Sequence, residues 1–404
     1  MTTAKTSTEH LIPAGETPFG YDPYLGRTLK QRQDFIGEKD FVAFEEVIAE
    51  IKSSGKAVVL NIGDSSTAGW DTRVTVENKQ RKKNGAPLLS AFFRYPTYSD
   101  KLREQIGEDH IVLNAGIPGH TTINTLRRLN PLLERFSKQG VTVDYVSIYL
   151  GNNDCQWEYN AEDKSSLRTS RLMPVFLDRL KAKLRKPDTK HIRLRTNKND
   201  FLHTIRRIVA TCRNHGAAPM LIVPEIPIYW EPGKRFVDDQ FPIDESMPGG
   251  KMVLAALARS RELWQSGLDN HDTQERIRTL EAALEMDFVV PRIKKTYRAL
   301  LEKAARDMEV PLVKTVLPRE TNDAEYFVDY CHPIDAANDA IAAQISATLD
   351  GYASGRYSKS ASKVPLIYRL LDSPVIESIV SRFAGSIAKP TDEELENKDI
   401  YALY

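Results

Sequence analysis

Four short stretches of this chain carry side chains that could do chemistry together. The first is Gly63-Asp64-Ser65, which ends the apolar, β-branched run at 57–62. A serine at a strand-to-helix turn sits beside oriented backbone N–H groups, where an oxyanion could be held, so Ser65 is a candidate nucleophile. The same tripeptide also reads as a plain turn with a capping serine. The second stretch is Asn-Ala-Gly-Ile-Pro-Gly-His-Thr at 114–121. Two glycines around a proline require the backbone to turn and approach something closely. It reads as a βα turn capped by Thr121 or Thr122, or as a loop whose N–H faces the same cleft as Ser65. The third is Gly151-Asn152-Asn153-Asp154, which follows another apolar run. An asparagine there can donate a side-chain N–H to a developing oxyanion, or it can close an Asx turn. The fourth is Asp329 and His332, spaced i and i+3 in a loop before a helix, a spacing that can bring carboxylate and imidazole together.

The elements that must position these groups follow from periodicity. Apolar runs at 57–62, 111–113, 143–150, 220–223 and 310–316 suit strands covered on both faces. Between them, apolar residues at helical spacing predict helices over 41–51, 98–107, 123–138, 200–216, 292–308 and 335–349, with two more within 249–287. Strands alternating with helices predict a parallel sheet, with the loops after its strands gathered at one edge where such sheets bind ligands. Residues 1–28 are broken by proline and glycine and read as irregular. Residues 72–96 read as a long loop, with the charged run 77–83 either solvated or a mobile rim that meets an anionic part of the substrate. Residues 366–383 have an amphipathic helical pattern, followed by a tail.

Composition narrows the class. The chain has 404 residues and a formal net charge of +1, so no global field recruits nucleic acid or a membrane surface. Cys155, Cys212 and Cys331 are its 3 cysteines, which argues against a disulfide framework and fits a reducing compartment. The polar start predicts no signal peptide, and no stretch is apolar enough to span a bilayer. A cytoplasmic enzyme that binds neither nucleic acid nor membrane is the expectation.

Gly63-Asp64-Ser65-Ser66-Thr67-Ala68-Gly69, then 114–119, 151–154 and 329–332, stand in one order, each after an expected strand. In that order and context the chain resembles the SGNH (GDSL-type) hydrolase family over roughly residues 57–350. The resemblance implies a three-layer α/β/α flavodoxin-like sandwich with a five-stranded parallel sheet. That domain would span 56–350, with insertions at about 72–96, 155–199 and 226–290. It would lie between an N-terminal extension and helix (1–55) and a C-terminal extension (351–404). The resemblance also implies esterase, thioesterase or acyltransferase chemistry with no metal and no other cofactor. Carried over residue by residue, Ser65 matches the nucleophile, His332 the general base and Asp329 its orienting carboxylate. Gly119 and Asn153 match the oxyanion donors, with the Ser65 N–H as a third. The chain departs from the pattern at Ala336, Ala337 and Asn338, where the family often places a glycine, and at Cys331, which reads as a small buried residue. Asp154 reads as structural, holding the loop that carries Asn153.

Substrate signals are weaker. Trp157, Tyr229 and Trp230 could stack on a sugar or line an acyl pocket, or simply pack under loops. The insertion 155–199 is rich in basic residues, Arg179, Lys181 and Lys183 among them. It reads as a helical lid with a solvated basic face, or as a docking surface for an anionic substrate or an acidic acyl carrier protein. Two activities share this machinery. One is hydrolysis of an ester or thioester of a small molecule or carbohydrate; the other is acyl transfer to an alcohol or amine.

Overall fold

The computed structural model describes residues 34–156, 194–234, 243, 245–246, 249–317 and 323–358, with backbone strands alone at 11–12, 19–22, 26–29, 157–159 and 192–193. The central sheet has seven strands in chain order: β1 (Phe35–Ile36), β2 (Phe41–Val42), β3 (Ala57–Gly63), β4 (His110–Asn114), β5 (Tyr145–Tyr149), β6 (Ala218–Val223) and β7 (Leu312–Lys314). Across the sheet they lie in the order β7-β6-β5-β3-β4-β1-β2. The five from β3 to β7 are parallel and have the flavodoxin-like order, in which the first strand sits between the second and the third. The sheet therefore has seven strands and not the expected five: the five parallel strands are those expected, and β1 and β2, paired antiparallel, extend its edge. β1 meets β4 at one residue pair, Ile36 with Asn114, and β2 pairs with β1. At two residues each, neither edge strand is long enough to show alternation in the sequence.

Helices cover both faces. They are α1 (Phe44–Ser54), α2 (Ser65–Ala68), α3 (Arg73–Lys83), α4 (Tyr98–Ile106), α5 (Thr122–Lys138), α6 (Lys198–Asn214), α7 (Gly250–Leu268), α8 (Thr273–Met286), α9 (Lys295–Met308) and α10 (Asp335–Ala353). Successive strand side chains point to opposite faces. Val58, Leu60 and Ile62 of β3 accordingly join one core with Phe44 of α1, Leu129 of α5, Ile205 of α6 and Leu301 of α9. Val59 joins the other, with Leu102 of α4 and Ile341 and Ile345 of α10. Both sheet faces are covered, which is why the strands read as mainly apolar runs.

The reading of 72–96 as a loop is corrected by α3 and a two-residue strand, Leu88–Leu89. α3 buries little beyond Val74, Thr75 and Asn78, so its sequence shows almost no apolar stripe. Asn78 secures it by exchanging two hydrogen bonds with the Leu89 backbone, at 2.8 and 2.9 Å. The pair of helices expected within 249–287 is found as α7 and α8. Of the basic insertion, the strands Trp157–Tyr159 and Ile192–Leu194 pair as an antiparallel ribbon; Arg179, Lys181 and Lys183 lie outside the described residues. The helix expected over 366–383 also lies outside them. Among the described residues, no helix is long and apolar enough to cross a membrane.

Candidate active site

β3 has β4 on one side and β5 on the other, so the chain leaves the sheet in opposite directions at their carboxyl ends. A crevice opens at such a switch point, and Ser65 follows β3 there. Gly63 makes the turn possible: a Cβ on it would lie 1.9 Å from Thr67 Oγ1 and 2.6 Å from the Tyr149 carbonyl oxygen. The chain then closes one turn of helix, α2. Asp64 caps it, its Oδ1 accepting from the Ser66 N–H at 2.9 Å. Ser65 is the first helical residue, where the backbone N–H has no intrahelical acceptor.

The loop after β4 lies directly against α2. Asn114 Nδ2 donates to the Thr67 carbonyl at 2.7 Å, and the Ile117 N–H donates to the Gly63 carbonyl at 3.1 Å. Gly116 brings the two backbones into contact, since a Cβ there would sit 2.4 Å from the Ala68 nitrogen. The same loop carries Gly119, whose carbonyl accepts from Arg195 Nη2 at 3.1 Å. After β5, Asn153 Nδ2 donates to the His120 carbonyl at 3.2 Å and to Asp64 Oδ2 at 3.3 Å. Asp154, fully buried, accepts from the Thr122 N–H and hydroxyl at the start of α5, and so ties the loops after β4 and β5 together.

Asp329 organises the fourth stretch. Its Oδ1 accepts from the backbone N–H groups of Cys331 and His332, at 2.8 and 2.9 Å. Its Oδ2 lies 2.6 Å from His332 Nδ1 and also accepts from the Thr72 hydroxyl at 2.5 Å. A carboxylate only accepts, so Nδ1 carries the proton of the neutral ring and Nε2 is left as an acceptor. His332 Nε2 lies 2.7 Å from Ser65 Oγ. Hydroxyl, imidazole and carboxylate are thus in line although Ser65 and His332 are 267 residues apart. Such a line can remove the serine proton and hold the imidazolium that results.

Burial and charge compete at each ionisable group. Burial alone would push His332 down, but the Asp329 carboxylate outweighs it and holds the imidazole above 6.5. Burial alone would push Asp329 up; the His332 charge and the hydrogen bonds from His332, Thr72 and Cys331 hold it below 3.8. Asp64 is pushed up to about 6 by burial, against the Ser66 hydrogen bond and the His332 charge. Burial also drives the Cys331 thiol well above its usual range, which suits a packed residue and not a reactive one. Asp329, Cys331 and His332 offer ligand atoms within 4.8 Å of one another. Both ring nitrogens already face partners, so the cluster fits an acid–base unit better than a cation site.

The expected substrate residues separate. Trp230 packs on the cluster of Val290, Tyr330 and Cys331, with its ring centroid 6.5 Å from Tyr330, whose ring is in turn 6.0 Å from His332. Tyr229 packs against the main core and donates its backbone N–H to Asp323. Trp157 is described only as backbone, in the ribbon. Sequence reasoning did not find Thr72, Tyr330, or the Ser66 hydroxyl, which donates to the Cys331 carbonyl at 3.1 Å. A lone threonine 257 residues from its carboxylate leaves no signal in the sequence.

Fold and site together define an α/β ester hydrolase. The chain belongs to the GDSL-like lipase/acylhydrolase family, whose model matches residues 62–340. Similar solved structures include the acetylxylan esterase Axe2 from Geobacillus stearothermophilus, 14% identical over 76% of this chain and 97% of that one, with a TM-score of 0.35. A GDSL-like lipase from Bacteroides thetaiotaomicron is 14% identical over 76% of this chain and 95% of that one, with a TM-score of 0.33. LAE5, an alpha/beta hydrolase enzyme from the metagenome of Lake Arreo, Spain, is 16% identical over 73% and 95%, with a TM-score of 0.35. No curated protein sequence matches.

Proposed function

We propose that this ester hydrolase works through an acyl-enzyme on Ser65. The observation that carries the reading is the 2.7 Å approach of His332 Nε2 to Ser65 Oγ, backed by Asp329 at 2.6 Å. His332 takes the hydroxyl proton as Ser65 attacks the ester carbonyl, and Asp329 stabilises the imidazolium. His332 then returns the proton to the leaving alcohol. Water, activated by the same imidazole, releases the acid and restores the serine. The N–H groups of Ser65 and Gly119 stabilise the tetrahedral oxyanion, joined by Asn153 Nδ2, whose 3.3 Å bond to Asp64 is the longer of its two and the one the oxyanion displaces.

The proposed substrate is an O-acyl ester or thioester of a small molecule or carbohydrate, with Trp230 in the outer wall of its pocket. An ester panel graded by acyl length, beginning with p-nitrophenyl acetate, measures the pocket. Labelling by an active-site serine probe, lost in Ser65→Ala, tests the nucleophile; labelling that survives the substitution removes Ser65 from the mechanism. Acyl transfer with the same triad is favoured by one observation: Ser65 and His332 are only 4% and 1% exposed, and a dry site protects an acyl-enzyme from water. Product analysis with an added alcohol acceptor separates the two.

A further inference from the structure

Thr72 stands at the N-cap of α3, where a threonine hydroxyl ordinarily accepts from an N–H of the first helical turn. Here it makes no such bond. Its Oγ1 donates instead to Asp329 Oδ2 at 2.5 Å, with both residues fully buried. Asp329 takes its other bonds from Cys331 and His332, within its own turn. Thr72 is the donor that reaches it from outside that turn, and it comes from the inserted segment 72–96, not from the sheet.

We infer that Thr72 is a positioning residue for the Asp329–His332 pair: its hydroxyl holds Oδ2 against His332 Nδ1 and disperses part of the carboxylate's charge. The start of α3 is then a working part of the site and not only a surface addition. The inference rests on the roles proposed above for Ser65, His332 and Asp329.

A donor aimed at Oδ2 is worth more when the imidazole is neutral than when an imidazolium already offsets the carboxylate. The hydroxyl therefore weakens the hold of His332 on its proton, and removing it should strengthen that hold. The other ionisable groups facing the pair are Asp64 at the α2 cap, Asp71 and Arg73 on either side of Thr72, and Tyr95 and Cys331. A change at Thr72 leaves all of them in place.

The test compares Thr72→Val, which keeps the shape and loses the hydroxyl, with Thr72→Ser, which keeps it. In the full-length chain, NMR titration of the His332 ring reads its protonation without any turnover. Thr72→Val is expected to raise the His332 midpoint by about half a pH unit or more, while Thr72→Ser stays with the wild type. kcat/KM of Thr72→Val for the best ester of the panel should fall about 10- to 100-fold, in kcat and not in KM, the range for one hydrogen bond to a buried charge. An unmoved midpoint in Thr72→Val, or an equal shift in Thr72→Ser, overturns the inference. If the valine variant does not fold, Thr72→Ala takes its place under the same two criteria. Full activity in Ser65→Ala would overturn the triad reading instead, a result distinct from an unmoved His332 midpoint alongside an inactive Ser65→Ala.

Discussion

A Cβ built on Gly116 would lie 2.4 Å from the Ala68 amide nitrogen and 2.8 Å from the Thr67 carbonyl carbon, both backbone atoms of α2. Ordinary contact begins at 3.4 Å, so Gly116→Ala must part the loop from α2 by 3.4 − 2.4 = 1.0 Å. Neither side yields easily. The Ala115 and Ile117 N–H groups are bonded to the Asn61 and Gly63 carbonyls of β3, at 2.8 and 3.1 Å, and Asn114 holds Thr67 at 2.7 Å. The loop that must move carries Gly119, and α2 carries Ser65. A misplacement of about 1 Å between catalytic groups costs on the order of 10² in rate, and overpacking costs about 1–3 kcal/mol. Gly116→Ala should therefore lower kcat/KM about 100-fold on the best panel ester, and lower urea-unfolding stability by about 1–3 kcal/mol. Gly140→Ala is the control. Its Cβ meets nothing within 4 Å and its φ is +71°, so it strains only its own turn, by about 1 kcal/mol, and leaves hydrolysis unchanged. Wild-type kcat/KM in a folded Gly116→Ala would refute the claim that this backbone contact sets the distance between the proposed nucleophile and the proposed oxyanion donors.

Ser65→Ala should abolish ester turnover while its urea midpoint stays near wild type; near-normal hydrolysis would end the mechanism proposed. The base must be neutral to work, and Asp329 holds His332 above 6.5, so kcat/KM should fall as pH drops through a midpoint higher than 6.5. An acid limb centred below that value would count against His332 as the base. Folding stability should respond to pH through Asp64. With its folded value raised from 3.8 to about 6, the native state binds the proton more tightly than the unfolded chain, so stability from this group is lost as pH rises through that window. Asp329, held below 3.8, contributes the opposite slope, losing stability as pH falls below 3.8. Asp64→Asn should remove the first slope and not the second; superimposable stability–pH curves for the two proteins would show that Asp64 does not titrate differently on folding. Arg292 and Asp287 form a fully buried ion pair at 2.6 Å. Arg292→Met should cost about 3–5 kcal/mol by stranding the Asp287 charge, and adding Asp287→Asn should cost less than the two single changes summed, as read by urea unfolding.

The parallel strands were legible because a strand buried on both faces is apolar at most positions, as β3 is from Val58 to Leu60 and again at Ile62, with the buried Asn61 between them paired to Ser147 of β5. α3 was not legible. It faces solvent over most of its circumference and is fastened through Asn78, a residue with no apolar signature. β1 and β2 escaped because two residues cannot show a period. At the site, the four stretches were visible as polar residues and glycines set just beyond apolar runs. The aromatic side chains were not sortable: Tyr229 and Trp230 are adjacent, yet one packs on the main core and the other on Tyr330, one ring away from His332.

Local sequence determined by itself which residue types stand at the strand ends, because glycine, proline and a capping aspartate constrain the backbone within a few residues. It also determined the family, since the order of the four stretches follows the order of the strands. Only the tertiary structure decided that Ser65 meets His332 across 267 residues and that Thr72 meets Asp329 across 257. Those distances depend on the strand order, on the glycine contacts that set how closely the loops approach, and on how α3 is fastened to the domain. No local pattern of apolar and polar residues encodes a contact between two such distant points.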